Sequence, residues 1–556
     1  MESTQPQLPG SSPDEMFPVL AAEQQARVLN HGRILRVASG ETLIELDQQP
    51  SRIFVVVEGK LEILRVSDNR EEVLAVCGPG MFTGELNLLS GRRSLGRIRT
   101  AQPSELIEIE REALVKLVQT DSELSDIFLR AFILRRLELI TRGIGDLLLI
   151  GSSHSLDTFR IKEFLTHNYQ PYSYIDLDRD AEVQDLLDRF QIAIADLPVL
   201  ICRRSLVLRS PSNQEIAKGL GFNEGIDRAH VRDMIVVGAG PAGLAAAVYG
   251  ASEGLNVLVV ESNAPGGQAG TSSKIENYLG FPTGISGQAL AGNAYTQAQK
   301  FGAEMLIARN AKGLACDRRP YALKFDGKEK IPSRTVVIAT GAQYRKLPVE
   351  NLSQFEGVGV YYGATHLESQ LCGGEDVVVA GGGNSAGQAA VFMAQTARRV
   401  YMLVRSDGLA QTMSRYLIRR IEESPNITLL TNTEITSLAG NDHLESVEWR
   451  NNKTREVETH TITALFSMIG AVPNSAWLEG CVACDAAGFI KTGSDLSIED
   501  LERAHWPLSR PPFLLETSLP GVFAVGDVRA GNVKRVASAV GEGSIAVSFV
   551  HQVLAE

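Results

Sequence analysis

The chain has 556 residues, 44% hydrophobic and 22% charged, with a net charge of −12. That length suits about three to five domains, and the acid surplus excludes nucleic acid as the main partner because no basic excess exists to neutralise phosphates. No run approaches the roughly 20 apolar residues of a membrane span. Residues 1–14 read as a polar, disordered tail without a signal-peptide core. Six scattered cysteines (Cys77, Cys202, Cys316, Cys372, Cys481 and Cys484) fit a reducing cytoplasm better than a disulfide-stapled secreted protein. No metal site is expected.

Residues 15–141 open with short strands between turn signals. Arg52–Val57 and Lys60–Val66 flank a Glu58–Gly59 turn, Glu72–Cys77 leads to Gly78–Pro79–Gly80, and Arg97–Thr100 and Glu105–Glu110 follow. This is the pattern of an all-β barrel. Inside it stand Gly84–Glu85–Leu86, a short helical run, and Arg93–Ser94. The stretch resembles the phosphate-binding cassette of cyclic-nucleotide-binding domains. The resemblance implies that Glu85 accepts from the ribose 2′-hydroxyl and that Arg93 with Ser94 holds the cyclic phosphate, a task for a planar guanidinium fork. The segment before Arg93 looks a residue shorter than usual, and bulky Leu95 follows. The alternative is a barrel that has lost its ligand and serves as an interaction module. From residue 111 to 141 a helical pattern places Leu124, Ile127, Phe128, Ala131 and Leu134 on one face, either packed on the barrel or pairing two chains.

Residues 146–222 read as βαβ followed by ββα: strand Asp146–Gly151, helix Asp157–His167, strand Tyr172–Asp178, helix Ala181–Phe190, strands Leu197–Cys202 and Leu206–Leu208, helix Asn213–Leu220. This order resembles a thioredoxin or glutaredoxin fold, with Pro198 where that family keeps a cis-proline. The place of its redox Cys-x-x-Cys reads Ser152–Ser153–His154–Ser155. A serine hydroxyl titrates far too high to give the attacking thiolate. The module is therefore expected to be a scaffold or docking surface, with Cys202 buried and inert.

After a polar linker, Met234–Val237 runs into Gly238–Ala239–Gly240–Pro241–Ala242–Gly243 and a helix start. Strand, glycine turn and helix are the context that a dinucleotide motif needs. Gly238 permits the tight turn, Gly240 lets a pyrophosphate approach, and Gly243 lets the helix sit close to the sheet. The next strand ends in Glu261, about 20 residues on, where a ribose hydroxyl is bound. Then come Gly267–Gln268, Asn277, a strand ending Ala339–Thr340–Gly341, and near the C-terminus Gly526–Asp527 and Arg535–Val536. In this order they resemble the FAD domain of two-dinucleotide-fold flavoproteins, and among these the low-molecular-weight thioredoxin reductases, across Val231–Glu556. The resemblance implies that Gln268 and Asn277 approach the flavin, Asp527 holds the ribityl chain, and Arg535–Val536 face the isoalloxazine ring. It also makes a homodimer the default.

A second motif follows strand Asp376–Ala380: Gly381–Gly382–Gly383–Asn384–Ser385–Ala386, a Gly-x-Gly-x-x-Ala. The next strand ends in Arg405 where an acid would favour NAD, so NADPH is expected over NADH. Ser406 and Ala410 stand where the reductases keep further arginines; Arg415, Arg419 and Arg420 are the candidates to compensate.

In thioredoxin reductases a Cys-x-x-Cys precedes this second motif. Here the region reads Tyr361–Tyr362–Gly363–Ala364–Thr365–His366–Leu367–Glu368, with Cys372 nearby. His366 is a candidate proton carrier and Cys372 a candidate reactive thiol; a polar turn and an ordinary thiol are the alternatives. Cys481–Val482–Ala483–Cys484 reads as strand, which holds residues three apart on opposite faces and about 10 Å from each other, too far for a disulfide.

The expected fold is multidomain: an all-β barrel with flanking helices (15–141), a thioredoxin-like α/β module (146–222), and two Rossmann-like domains, one for FAD (231–345 and 474–556) and one for NAD(P)H (346–473). The expected function is an FAD-dependent NADPH oxidoreductase that passes electrons to an unidentified acceptor, with a cyclic nucleotide as regulator. The alternatives are a disulfide reductase using Cys372 or Cys481 with Cys484, and a sensor that reads flavin and nucleotide state.

Overall fold

In a computed structural model the described residues are 13–556 without 47, 50, 68–69, 85–87, 90–92, 95, 142–146, 154, 179–191, 194–195, 203–205, 365–367, 370–371 and 479. Strands β1 (Arg33–Val37), β2 (Thr42–Ile44), β3 (Arg52–Ser67), β4 (Arg70–Cys77) and β5 (Arg97–Glu110) form an antiparallel sheet in the order β1-β5-β3-β4, with β2 also on β5. The Glu58–Gly59 turn expected from sequence does not reverse the chain. Gly59, at φ +98°, bulges within β3, whose register on β5 shifts at Glu58 and again at Lys60. A bulge twists a strand without ending it, so two predicted strands are one; Arg97–Thr100 and Glu105–Glu110 likewise join in β5. Helices α1 (Arg111–Thr120) and α2 (Ser122–Thr141) follow. Leu124, Phe128 and Ala131 are fully buried, and the Phe82 and Phe128 ring centroids lie 4.4 Å apart. The apolar stripe of α2 thus covers the barrel.

The next module comprises β6 (Leu147–Gly151), α3 (Leu156–His167), β7 (Ser173–Asp176), β8 (Val199–Cys202), β9 (Leu206–Arg209) and α4 (Asn213–Gly219). Its sheet order is β7-β6-β8-β9, parallel for β6 with β7 and antiparallel for the rest. Every residue of β8, including Cys202, is buried, as a central strand's continuous apolar run requires. The Leu197–Pro198 bond is cis. Ser155 of the serine run caps α3, accepting the Thr158 N–H. The expected helix Ala181–Phe190 and His154 lie outside the described residues.

The remaining chain builds two sheets with parallel centres, the first edged by antiparallel strands, and a small antiparallel sheet of β21 (Thr433–Ala439), β22 (Ser446–Asn451) and β23 (Val457–Thr461). In the first, β10 (Arg232–Val237) sits between β11 (Val257–Val260) and β15 (Lys330–Ile338); β12 (Glu304–Leu306) extends one edge, and β13 (Gly313–Ala315) with β14 (Tyr321–Lys324) the other. Two helices cover it, α5 (Pro241–Ser252) and α6 (Gly287–Lys300). Strands β16 (Ala342–Tyr344) and β25 (Ala471–Pro473) pair antiparallel and carry the chain out to the second sheet and back. That sheet has the order β17-β24-β18-β19-β20 and comprises β17 (Val360–Tyr361), β18 (Asp376–Ala380), β19 (Arg399–Val404), β20 (Ile427–Thr431) and β24 (Ala464–Ser467). Helices α7 (Asn384–Met393) and α8 (Arg415–Glu423) belong to it. The chain returns through β26 (Val522–Ala524), paired with β15, and α9 (Val536–Ala555). A Cβ on Gly543 of α9 would overlap the Ala242 carbonyl, so glycine lets α9 cross directly over the start of α5.

The strand expected over Cys481–Cys484 does not form, and the chain carries a disulfide that the sequence did not mark. Cys316, after β13, forms a disulfide with Cys481 across a Cα–Cα distance of 6.1 Å. Cys481 lies in a bend, and the predicted strand reduces to a single bridge between Cys484 and Ile490. The other four cysteines form no disulfide, and Cys484 is the exposed one. Among the described residues no helix is long and apolar enough to cross a membrane, and no group of three His, Cys, Asp or Glu side chains could hold a metal.

Candidate active site

A cleft of 1170 Å³ runs between the two parallel-sheet domains, and both glycine motifs open into it. In the first, Gly238 has φ +104°, and a Cβ there would collide with the Ala339 carbonyl. A Cβ on Gly243 would overlap the Gly238 carbonyl oxygen, which fixes α5 against the turn. Gly240 differs: the atom nearest its ideal Cβ is Gly267 Cα, at 3.9 Å. It caps α5 with Pro241 behind it, so unpaired N–H groups and the positive helix end face an open cradle. Pro241 and Ala242 also line the cleft.

Glu261 ends β11 and turns back, accepting the Ala239 N–H at 2.7 Å and the Asn263 N–H at 2.8 Å. Burial raises its carboxyl above the usual range, and those bonds oppose the rise. Gly267, at φ +53°, and Gln268 follow; the Gln268 amide donates to the Ala342 carbonyl. Asn277, Ala339, Thr340 and Gly341 line the same wall. Thr340 donates to the Asn474 carbonyl at 2.7 Å and Asn474 returns a bond to the Thr340 carbonyl at 3.0 Å, fixing the crossing between domains. Gly526, Asp527, Arg535 and Val536 close the cleft from the C-terminal side. Burial raises the Asp527 carboxyl, with Lys534 opposing. No hydrogen-bond donor among the described residues reaches that carboxylate. An open glycine cradle at a helix end and a half-buried carboxylate awaiting donors fit a dinucleotide with a polyol chain.

The second motif repeats the design. Gly381 has φ +139°, and a Cβ there would meet the Met468 carbonyl; Gly383 has nothing within 4 Å of its ideal Cβ; Ala386 is fully buried. The Asn384 side chain accepts the Ser414 N–H at 2.8 Å, and Ser385 lies beside Tyr344, whose hydroxyl burial pushes up. Arg405 is exposed at the end of β19 and lines the cleft near Glu434, whose carboxyl is held low by Arg450 first and by Arg405 at longer range. Arg415, Arg419 and Arg420 are not in the cleft lining. Arg420 instead pairs with Glu276 of the first sheet domain, which corrects its expected role.

Cys372 is 2% exposed, and burial, with Glu368 and Glu375 nearby, pushes its thiol up to about 12. His366 and Glu85 lie outside the described residues. Arg93 and Ser94 are described: Arg93 pairs with Glu224, and the Ser94 hydroxyl donates to the Gly96 carbonyl at 2.7 Å. Sequence reasoning missed Tyr344 and Glu434 in the cleft, which no local motif marks.

A model of the pyridine nucleotide-disulphide oxidoreductase family matches residues 232–543, and one of the cyclic nucleotide-binding domain matches residues 34–121. The thioredoxin reductase of Ureaplasma parvum is 32% identical over 323 residues, 58% of this chain and 96% of that protein. The thioredoxin reductase of Mycolicibacterium smegmatis is 33% identical over 326 residues, covering 59% and 97%. Among solved structures, Lactococcus lactis thioredoxin reductase in its FR conformation superposes with a TM-score of 0.52 at 26% identity, over 58% of this chain and 99% of that one. Thioredoxin reductase of T. acidophilum gives 0.52 at 27% identity, over 59% and 100%. The chain belongs to the pyridine nucleotide-disulphide oxidoreductase family and is a thioredoxin-reductase-like, NAD(P)H-dependent flavoprotein oxidoreductase with FAD and NADPH as cofactors and a cyclic nucleotide-binding domain ahead of its catalytic region.

Proposed function

We propose that this oxidoreductase passes electrons from NADPH through FAD to an acceptor other than thioredoxin. The observation that carries the reading is the single cleft into which both glycine motifs open. Gly240 and the start of α5 would hold the FAD diphosphate, Glu261 a ribose and Asp527 the ribityl chain. Gly383 and the start of α7 would hold the NADPH diphosphate, with Arg405 beside its 2′-phosphate. Bound FAD supplies a hydride acceptor and holds the electron pair for release. Gln268 and Tyr344 orient the groups that meet in the cleft, and the Thr340–Asn474 bonds hold the two domains in register.

The exit differs from a dithiol relay. Residues 361–368 contain no cysteine. Cys372 is buried and its thiol is pushed up to about 12, so at neutral pH it stays protonated and is a poor nucleophile. Cys481 is tied to Cys316 rather than to Cys484. The four-stranded module, read as thioredoxin-like, carries serines where a redox pair would stand and serves as a docked scaffold. The barrel is read as a regulatory domain for a cyclic nucleotide, and the enzyme as a homodimer. NADPH-dependent reduction of thioredoxin disulfide is the test: background rates support the reading, whereas turnover lost on Cys372→Ser would favour a disulfide reductase.

A further inference from the structure

Beside the main cleft lies a second cavity of 810 Å³. The two share a wall of Gly267, Gln268, Ala342, Tyr344 and Asn474. The opposite wall is α3 of the four-stranded module, which contributes Phe159, Glu163 and His167; Tyr361, Tyr362 and Gly363 of the second sheet domain supply the third side. The module is held there by specific bonds. Tyr169 donates to the Gln288 carbonyl, Gln288 donates to the Thr166 carbonyl at 3.2 Å, and the Asn213 amide reaches Asn263 at 2.9 Å. Leu156 fills the space beside Gly357, and the Phe159 and Tyr361 ring centroids lie 6.0 Å apart. A module without redox cysteines therefore encloses a space next to Gln268, which also lines the main cleft.

The charges around that space are mostly spent on one another. Asp157 pairs with Arg160, and Lys346 pairs with Glu356, which also accepts from Tyr362. Exposed Arg345 also lines the cavity without an ion pair among the described residues, and half-buried Glu163 and His167 are the other exceptions. They lie one turn apart on α3, so they share a face, and neither has a hydrogen-bond or ion-pair partner among the described residues. Glu368 is buried opposite Glu163. Burial, reinforced by Glu368, pushes the Glu163 carboxyl up to about 7, and burial lowers the His167 imidazole. Around neutral pH about half of this cavity-lining carboxyl is thus protonated.

We infer that this cavity binds a small planar quinone, stacked beside Phe159 and Tyr361, with Glu163 as the group that protonates it. The inference rests on the NADPH–FAD reading above for its source of electrons. Among the described residues no cysteine lines the cavity, so disulfide exchange has no nucleophile there. Its volume suits a small ligand rather than a protein, and tilted aromatic walls suit a flat ring. Reduction of a quinone to a quinol takes a hydride equivalent and one proton. Both C=O bonds become C–OH, NADPH supplies the hydride equivalent by way of the flavin, and Glu163 gives its proton to one oxygen before solvent reprotonates it. Net, NADPH and one proton convert quinone to quinol and leave NADP⁺.

The test uses the FAD-loaded protein and duroquinone, whose fully substituted ring resists addition by the exposed thiol of Cys484. Duroquinone is titrated into the oxidised protein by calorimetry, then mixed anaerobically with NADPH-bleached protein across pH; FAD content checks that each variant is folded. We expect one saturable site, weakened about tenfold by Phe159→Ala. Flavin reoxidation should slow as pH rises through about 7, where the proton is lost, and Glu163→Gln should slow it by about 10²-fold and flatten that limb. The inference is overturned by bleaching with NADPH but no duroquinone binding, or by a Glu163→Gln protein with unchanged rate and pH profile. Saturable duroquinone binding without bleaching by NADPH would instead sink the NADPH–FAD reading and leave the cavity assignment standing.

Discussion

Arg93 grips Glu224 at two points, Nε to Oε2 at 3.0 Å and Nη2 to Oε1 at 2.6 Å. This is the forked geometry by which arginine also binds phosphate. Glu224 belongs to the segment joining the four-stranded module to β10, so the arginine expected to hold a cyclic phosphate holds the entry to the FAD domain. A cyclic nucleotide that uses Arg93 must displace this carboxylate. Both side chains are partly exposed, at 32% and 40%, so the pair contributes only about 0.2–1 kcal/mol. Glu224→Gln should tighten cAMP or cGMP binding by about two- to fivefold, read by calorimetry. Equal affinities in both proteins would show that Arg93 is not the phosphate ligand.

The two glycines of the first motif should fail differently. Gly240→Ala places a methyl where only Gly267 lies near, at 3.9 Å; the fold should survive and FAD content should fall. Gly243→Ala drives a methyl into the Gly238 carbonyl, and overpacking of this kind costs about 1–3 kcal/mol. Thermal melts and flavin absorbance together separate the outcomes. Equal melting temperatures for both variants would contradict the assigned roles.

Among the described residues Arg405 is the basic side chain at the second motif's strand end that lines the cleft, while Arg420 is engaged by Glu276. A charge-assisted hydrogen bond to phosphate is worth about 1.5–3 kcal/mol. Arg405→Ala should raise the KM for NADPH by roughly 10- to 100-fold and leave that for NADH unchanged. Steady-state kinetics with both nucleotides read this directly, and a parallel rise for both would place Arg405 outside the 2′-phosphate site.

Asp527 makes a pH-dependent prediction. Burial raises its carboxyl in the folded protein, so the group is tolerated while protonated and costs stability as pH rises through its folded value. FAD-free Asp527→Asn protein should melt higher than FAD-free wild type at neutral pH, with the gap closing as pH falls into the ordinary carboxylate range. The same variant should bind FAD about tenfold or more weakly, because a charged acceptor is lost. A variant less stable than wild type at neutral pH would mean that the carboxylate has a partner in the FAD-free protein.

The glycine motifs are legible in the sequence because their requirements are local: a positive φ at Gly238 and Gly381, a helix end at Gly240 and Gly383, and a small residue at Gly243 and Ala386. The apolar stripe of α2 is legible for the same reason. Gly59 misleads because a bulge and a hairpin turn use the same left-handed glycine, and only the pairing of β3 with β5 tells them apart. The Cys316–Cys481 bond joins residues 165 apart and depends on the return segment lying beside β13, which no spacing rule encodes. Arg420 reads as a phosphate ligand until tertiary structure brings Glu276 to it. Glu163 and His167 look like ordinary helix residues, and their chemistry arises only where α3 docks on another domain.

Anaerobic titration of the oxidised protein with NADPH counts the electrons that the enzyme can store. A flavin without a dithiol in redox contact takes up two electrons, so one equivalent of NADPH per FAD should complete the bleaching. Uptake of two equivalents per FAD would mean that a cysteine pair exchanges electrons with the flavin, and it would contradict the account.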